Sequence, residues 1–245
     1  MKPKTPKTAL QSQNRFSPLQ FTSNNPQLDG SPSEEDIDDN GTRQRVKLVP
    51  GPKSYSQVTK LGEETLVFST SISKGIRIGE FNDWFNGEGR VSFRRFHGGK
   101  ARHFKHYMLP HLEEVAPKTV VIQCGGNDLS TPKGETPTPV EQIAEEVISL
   151  GEFSQQHGVK NVLIAGVPIR RKQFIQERCT QLNNILMEFC KSRGYTFIDN
   201  GNIDLTHVQS DGTHLNYEGS DLLANNYLFY LNDLADWERL LSPQG

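Results

Sequence analysis

Cysteine is scarce in this chain of 245 residues: there are three, Cys124, Cys179 and Cys190, and no CxxC pair. Three irregularly spaced thiols build no disulfide framework and offer no zinc spacing. Cys124 lies in an apolar run and the other two in a helical pattern, so buried free thiols are expected. An excess of one charge sign is also missing. With 27 Lys and Arg against 29 Asp and Glu, the chain as a whole is not a strongly basic nucleic-acid binder. No apolar stretch approaches the roughly 20 residues needed to cross a bilayer. The basic start, MKPKTPKTALQSQNRFSP, lacks the apolar region of a secretory signal. A soluble intracellular protein without a membrane span is the expectation.

Large apolar side chains are missing too, but only locally. Residues 1–60 are rich in Pro, Ser, Thr, Asn and Gln and pass through an acidic block, SPSEEDIDDN, before turning basic at TRQRVK. Such a segment cannot bury enough apolar surface to offset an ordering entropy of roughly 1–2 kcal/mol per residue, and reads as disordered. A solvated linker and a tail that binds nucleic acid or a protein partner are both open. VPGPKSYSQV looks like the hinge into a folded domain over residues 61–245.

Within that domain, short apolar runs alternate with helical patterns. Thr65–Ser69, Thr119–Cys124 and Asn161–Ala165 read as buried strands, Arg90–Phe96 as an alternating edge strand, and Tyr195–Asp199 as the last strand. Helical spacing covers Lys100–Val115, Pro139–Gln156, Gln173–Ser192 (stopped by Gly194) and Glu218–Leu241. Near-continuous apolar strands alternating with helices imply an α/β protein, with about five parallel strands and helices on both faces.

In such a sheet, ligands bind outside the carboxyl ends of the strands. The polar residues that follow the strands are therefore the candidates. They are Ser69-Thr70-Ser71, then His97-Gly98-Gly99, then Gly125-Gly126-Asn127-Asp128, and finally Asp211-Gly212-Thr213-His214. A hydroxyl, a glycine backbone, a carboxamide and a carboxylate–imidazole pair are what acyl transfer to serine requires. Imidazole takes the hydroxyl proton, a carboxylate holds the imidazole in one tautomer, and N–H groups stabilise the oxyanion. The N–H groups of Ser71 and Gly98 and the Asn127 amide are the candidate donors.

These blocks, in this order, resemble the SGNH or GDSL-type hydrolase superfamily across roughly Leu61 to Leu241. LVFSTSISKGI is similar to its nucleophile block, FHGG to its glycine block, VIQCGGNDL to its G-x-N-D block and DGTHLNYEG to its D-x-x-H block. The resemblance implies a three-layer α/β/α sandwich with a five-stranded parallel sheet in the flavodoxin-like order 2-1-3-4-5. It also implies Ser71 as nucleophile, Gly98 and Asn127 as oxyanion donors, His214 as base and Asp211 as its orienting acid. The first block departs from the pattern, because Thr70 stands where the family carries Asp. The wider wording, STSISKGIRIGEFN and RRFHGGKARHFKHYMLPHLEEVAP, also resembles SGNH-like domains in animal non-LTR retrotransposon first open reading frames.

The expectation is thus a serine ester hydrolase without metal or organic cofactor, acting on a small-molecule, carbohydrate or lipid ester, acetyl esters included. The alternative is a catalytically weak or inactive binding module of the same fold, retroelement-derived, with a nucleic-acid-contacting tail. His97, His103, His106 and His111 have no acid or thiol at ligand spacing and do not read as a zinc site. Arg170-Arg171-Lys172 follows the fourth strand and reads either as a contact for an anion or as a solvated loop.

Overall fold

Five short apolar runs become five strands in a computed structural model that describes residues 65–131 and 134–241. The segment expected to be disordered, residues 1–60, lies outside the described residues, as does the hinge. The strands are β1 (Thr65–Ser69), β2 (Val91–Arg95), β3 (Thr119–Gln123), β4 (Asn161–Ala165) and β5 (Thr196–Ile198). All pairings are parallel and the order is β2-β1-β3-β4-β5, the one the family resemblance implied. Chain order reverses between β1 and β3, so a crevice at their carboxyl ends is the expected ligand position.

The helices are α1 (Ile78–Trp84), α2 (Ala101–Val115), α3 (Val140–Gln156), α4 (Gln173–Arg193) and α5 (Tyr217–Leu241). Two short 3-10 turns, Ser71–Gly75 and Leu205–His207, complete the set. Sequence reading missed α1 and both turns, because a one-sided stretch as short as IGEFNDW carries little periodic signal.

Alternate side chains of each strand feed opposite cores. Leu66, Phe68, Val120, Ile122, Val162 and Ile164 meet α2, α3 and α4 through residues such as Phe104, Met108, Ile143, Val147, Leu182 and Leu186. Val67, Val121, Leu163, Ala165 and Ile198 face α1 and α5, against Phe81, Leu223, Tyr227 and Leu231. Every position of β1 and β3 is buried, and this is why those strands read as unbroken apolar runs. Helix ends follow local chemistry. α4 stops at Gly194, whose φ of 70° is open to glycine, and α2 ends at Val115, two residues before Pro117, with Ala116 as its C-cap.

Candidate active site

The turn after β1 carries three serines with different surroundings. Ser69 and Ser73 are fully buried and their hydroxyls meet at 2.5 Å. The Arg95 side chain, from the edge strand, donates Nε to Ser73 Oγ at 3.3 Å and Nη2 to the Ile76 carbonyl at 3.2 Å. Burial lowers the pKa of that guanidinium. Ser71 is the serine left to face outward, and its Oγ lies 3.0 Å from His214 Nε2. Thr70 is buried, in extended conformation, and makes no capping bond with its side chain.

His214 sits in a short closed loop. The Gln209 N–H donates to the His214 carbonyl at 2.8 Å, Gly212 N–H donates to Gln209 O at 2.9 Å, and Val208 bridges Leu215. The loop then enters α5 through Asn216, whose Oδ1 accepts the Gly219 N–H at 2.9 Å as an N-cap. Asp211 accepts three hydrogen bonds. Its Oδ2 takes His214 Nδ1 at 2.6 Å, and its Oδ1 takes the N–H groups of Thr213 and His214 at 2.8 and 2.9 Å. The imidazole bond first, and then the two backbone bonds, hold this carboxyl down at about 2. An ionised Asp211 accepts only, so Nδ1 carries the proton and the Nε2 lone pair faces the Ser71 hydroxyl.

Two arginines after β4 anchor this loop. Arg170 is buried, not solvated, and its Nη1 donates to the Thr213 carbonyl at 3.0 Å. A Cβ on Gly126 would lie 2.6 Å from Arg170 Nη2, so any larger residue there obliges the guanidinium to shift. Arg171 is exposed, yet its N–H bonds to the Gly212 carbonyl at 3.0 Å and its Nη2 to the Val208 carbonyl at 3.0 Å. The first two members of the basic triplet therefore grip the loop that carries His214. The solvated-loop reading fails for Arg170, which is buried, whereas Arg171 is exposed.

Gly98 and Asn127 belong to neighbouring loops. Gly98 has φ of 70°, and Asn127 Nδ2 donates to the carbonyl of Gly99 at 2.9 Å. No direct bond joins either residue to Ser71 or His214. One carboxamide hydrogen is thereby used to orient the group, and a second is left over. Asp128 serves the start of a helix: its Oδ2 accepts the Ala101 N–H at the start of α2 at 3.1 Å. Desolvation raises its pKa.

Comparison with solved structures returns acylhydrolases. A GDSL-like lipase from Bacteroides thetaiotaomicron is 16% identical, covering 70% of this chain and 89% of that one, with a TM-score of 0.59. A lipase/acylhydrolase from Enterococcus faecalis is 19% identical, covering 70% and 96%, with a TM-score of 0.58. Axe2, an acetylxylan esterase from Geobacillus stearothermophilus, is 16% identical, covering 70% and 96%, with a TM-score of 0.59. The fold is that of these SGNH-type hydrolases. No protein-family model and no curated protein sequence matches the chain.

Other features of this SGNH fold lie apart from the Ser71 cluster. A cavity of about 230 Å³ opens among Thr65, Lys118, Thr119 and Lys160, at the amino ends of β1, β3 and β4, the opposite edge of the sheet. His103 and His111 accept hydrogen bonds from Arg102 and Arg94, and among the described residues no His, Cys, Asp and Glu gather into a metal-binding group. The loop over residues 132–138 is described only from Gly134 onward. Sequence reading did not place Arg95 or Ser73, and it singled out Arg170 without its bond to the Thr213 carbonyl. The i,i+4 pair Ser69/Ser73 was a legible signal; the paths of two long arginine side chains were not.

Proposed function

We propose that the protein is an ester hydrolase working through a Ser71 acyl-enzyme. The observation that carries this reading is the continuous line Ser71 Oγ–His214 Nε2–His214 Nδ1–Asp211 Oδ2, with links of 3.0 and 2.6 Å. In the first half-reaction His214 takes the hydroxyl proton as Ser71 Oγ bonds to the ester carbonyl carbon. The alkoxide leaves with the proton from Nε2. Water, deprotonated by the same imidazole, then attacks the acyl-serine and releases the acid and free Ser71. Asp211 stabilises the imidazolium in both steps. The Gly98 and Ser71 N–H groups and the second Asn127 hydrogen are the oxyanion donors. Each is worth on the order of 2.7–4 kcal/mol of barrier.

That the fold neighbours include a lipase and an acetylxylan esterase supports an ester as substrate, with an acetyl ester among the candidates. A fluorophosphonate probe labels Ser71 in the folded chain, and Ser71→Ala loses both the label and p-nitrophenyl acetate turnover, by about 10³-fold or more. Unlabelled wild-type protein in a folded, monodisperse sample overturns the proposal.

One observation favours a second reading, a non-catalytic module of the same fold: Thr70 brings no negative charge to the nucleophile turn. Ester turnover that disappears in Ser71→Ala eliminates it. The sequence resemblance to retrotransposon domains adds an intracellular setting and a nucleic-acid or protein partner for residues 1–60. Salt-dependent RNA binding by the full chain tests the nucleic-acid arm, and absence of binding at low salt removes it.

A further inference from the structure

From Arg90 to His111 the chain carries six Arg and Lys and four His with no Asp or Glu, while the rest holds 21 Lys and Arg against 29 Asp and Glu. The asymmetry is spatial as well. These residues form the edge strand β2, the Gly98-Gly99 loop and the first three turns of α2, with His97, Arg102, His103, Lys105 and His106 exposed. Elsewhere on the surface several cations find acids: Arg77 with Glu80 and Asp221, Lys118 with Glu238, Arg193 with Glu152, Arg239 with Asp236. Along this edge they do not. Among the described residues, Arg94, Lys100, Arg102 and Lys105 form no ion pair, and Arg94 and Arg102 donate instead to imidazole nitrogens at 3.4 and 3.2 Å. Asp128 interacts electrostatically with Lys100 and Arg102, and Glu114 lies near His111; the excess of like charge that remains repels itself, and an arriving anion relieves that repulsion.

The row begins at the candidate site. Phe96 N–H donates to the Ser69 carbonyl at 2.8 Å, two residues before Ser71. The Gly99 carbonyl, immediately before Lys100, accepts the Asn127 amide. Lys74, exposed within the Ser71–Gly75 turn, adds a cation three residues after Ser71. Among the described residues no large apolar side chain is exposed between Trp84 and Phe174, so this edge presents charge rather than a greasy surface.

The geometry points to a substrate class: an ester whose carrier is anionic, its carboxylate or phosphate groups lying along the Arg94–Lys105 edge while the carbonyl meets Ser71. This rests on the hydrolase reading above. The test compares three acetyl esters, each corrected for its hydroxide-catalysed rate: 4-acetoxybenzoate, 4-acetoxyphenyl phosphate and the neutral methyl 4-acetoxybenzoate. At low ionic strength kcat/KM for at least one anionic ester exceeds that of the neutral one by about tenfold or more. Which anionic ester leads tells carboxylate from phosphate. The preference collapses at about 1 M salt, where the Debye length is about 3 Å, and shrinks towards one in K100Q/R102Q/K105Q. The salt series needs no variant and stands if the triple mutant does not fold. Turnover of the neutral ester with no anionic preference overturns the substrate class alone. Turnover of none, with Ser71 unlabelled by fluorophosphonate, removes the hydrolase reading and this proposal with it.

Discussion

At the scale of single residues, the chemistry of each polar group is set by what it touches. Asp211 is exposed, yet three hydrogen bonds bring its pKa to about 2, below the roughly 3.9 of a free aspartate. A depressed carboxyl stabilises the fold above its unfolded pKa and loses that contribution as pH falls through the folded one. The Asp211–His214 pairing therefore contributes fully above about pH 4 and fades towards pH 2. A carboxyl-carbon NMR titration of Asp211 centred near 2 checks this; a midpoint near 4 contradicts it. Asp211→Asn leaves the fold intact and lowers kcat by about 10²–10⁴-fold, since the wrong tautomer then faces Ser71. The thiols behave in the opposite sense. Burial pushes Cys179 to about 11 and Cys190 to about 12, and Cys124 well above the ordinary thiol range. At pH 8 the thiolate fraction is on the order of 10⁻³ or less. An aromatic disulfide reagent finds no fast-reacting thiol in the native protein and three after denaturation.

Elements act on the site through their ends. β1 and β2 end in register, Ser69 opposite Arg95, so the edge strand delivers Arg95 to Ser73 and the Ile76 carbonyl. That brace occupies the turn whose family counterpart carries Asp. The loop after β4 does the equivalent for the base: Arg170 holds the Thr213 carbonyl across the face of Gly126. A buried charged hydrogen bond of this kind is worth about 1.5–3 kcal/mol. If the loss falls on the placement of His214, Arg170→Met lowers kcat by roughly 10–100-fold with KM little changed, since each 1.36 kcal/mol is tenfold. Gly126→Ala, which displaces the same guanidinium, gives a milder version of the same kinetic defect. A rise in KM at constant kcat in either variant would instead place Arg170 on the substrate.

Over the whole molecule, stability comes from two apolar layers that sandwich one sheet. Phe104 is fully buried and stacks edge-on to Phe96 at 5.3 Å between ring centroids. Phe104→Ala costs about 3–5 kcal/mol, read as a shift of the urea midpoint. Tyr227 is the inverse case. Its hydroxyl is buried in the other layer with no hydrogen-bond partner among the described residues, and burial raises its pKa. Tyr227→Phe removes an unsatisfied polar group and stabilises the fold by about 1 kcal/mol.

β1 and β3 were legible because burial on both faces leaves their centres unbroken and apolar, as in LVF and VVI. The long helices were legible from a 3.6-residue period. The polar blocks at the strand ends were legible because their residue types suit one reaction. α1 escaped notice because seven residues show too little of any period, and the brackets of Arg95 and Arg170 because a long side chain's path is not written in local spacing. Local sequence thus determined which segments become strands and helices and which polar groups follow them, since backbone propensity and hydrophobic period act within a few residues. Only the tertiary structure decided that a hydroxyl at 71 and an imidazole at 214 stand 3.0 Å apart, because loop packing and two arginine anchors bring together groups 143 residues distant.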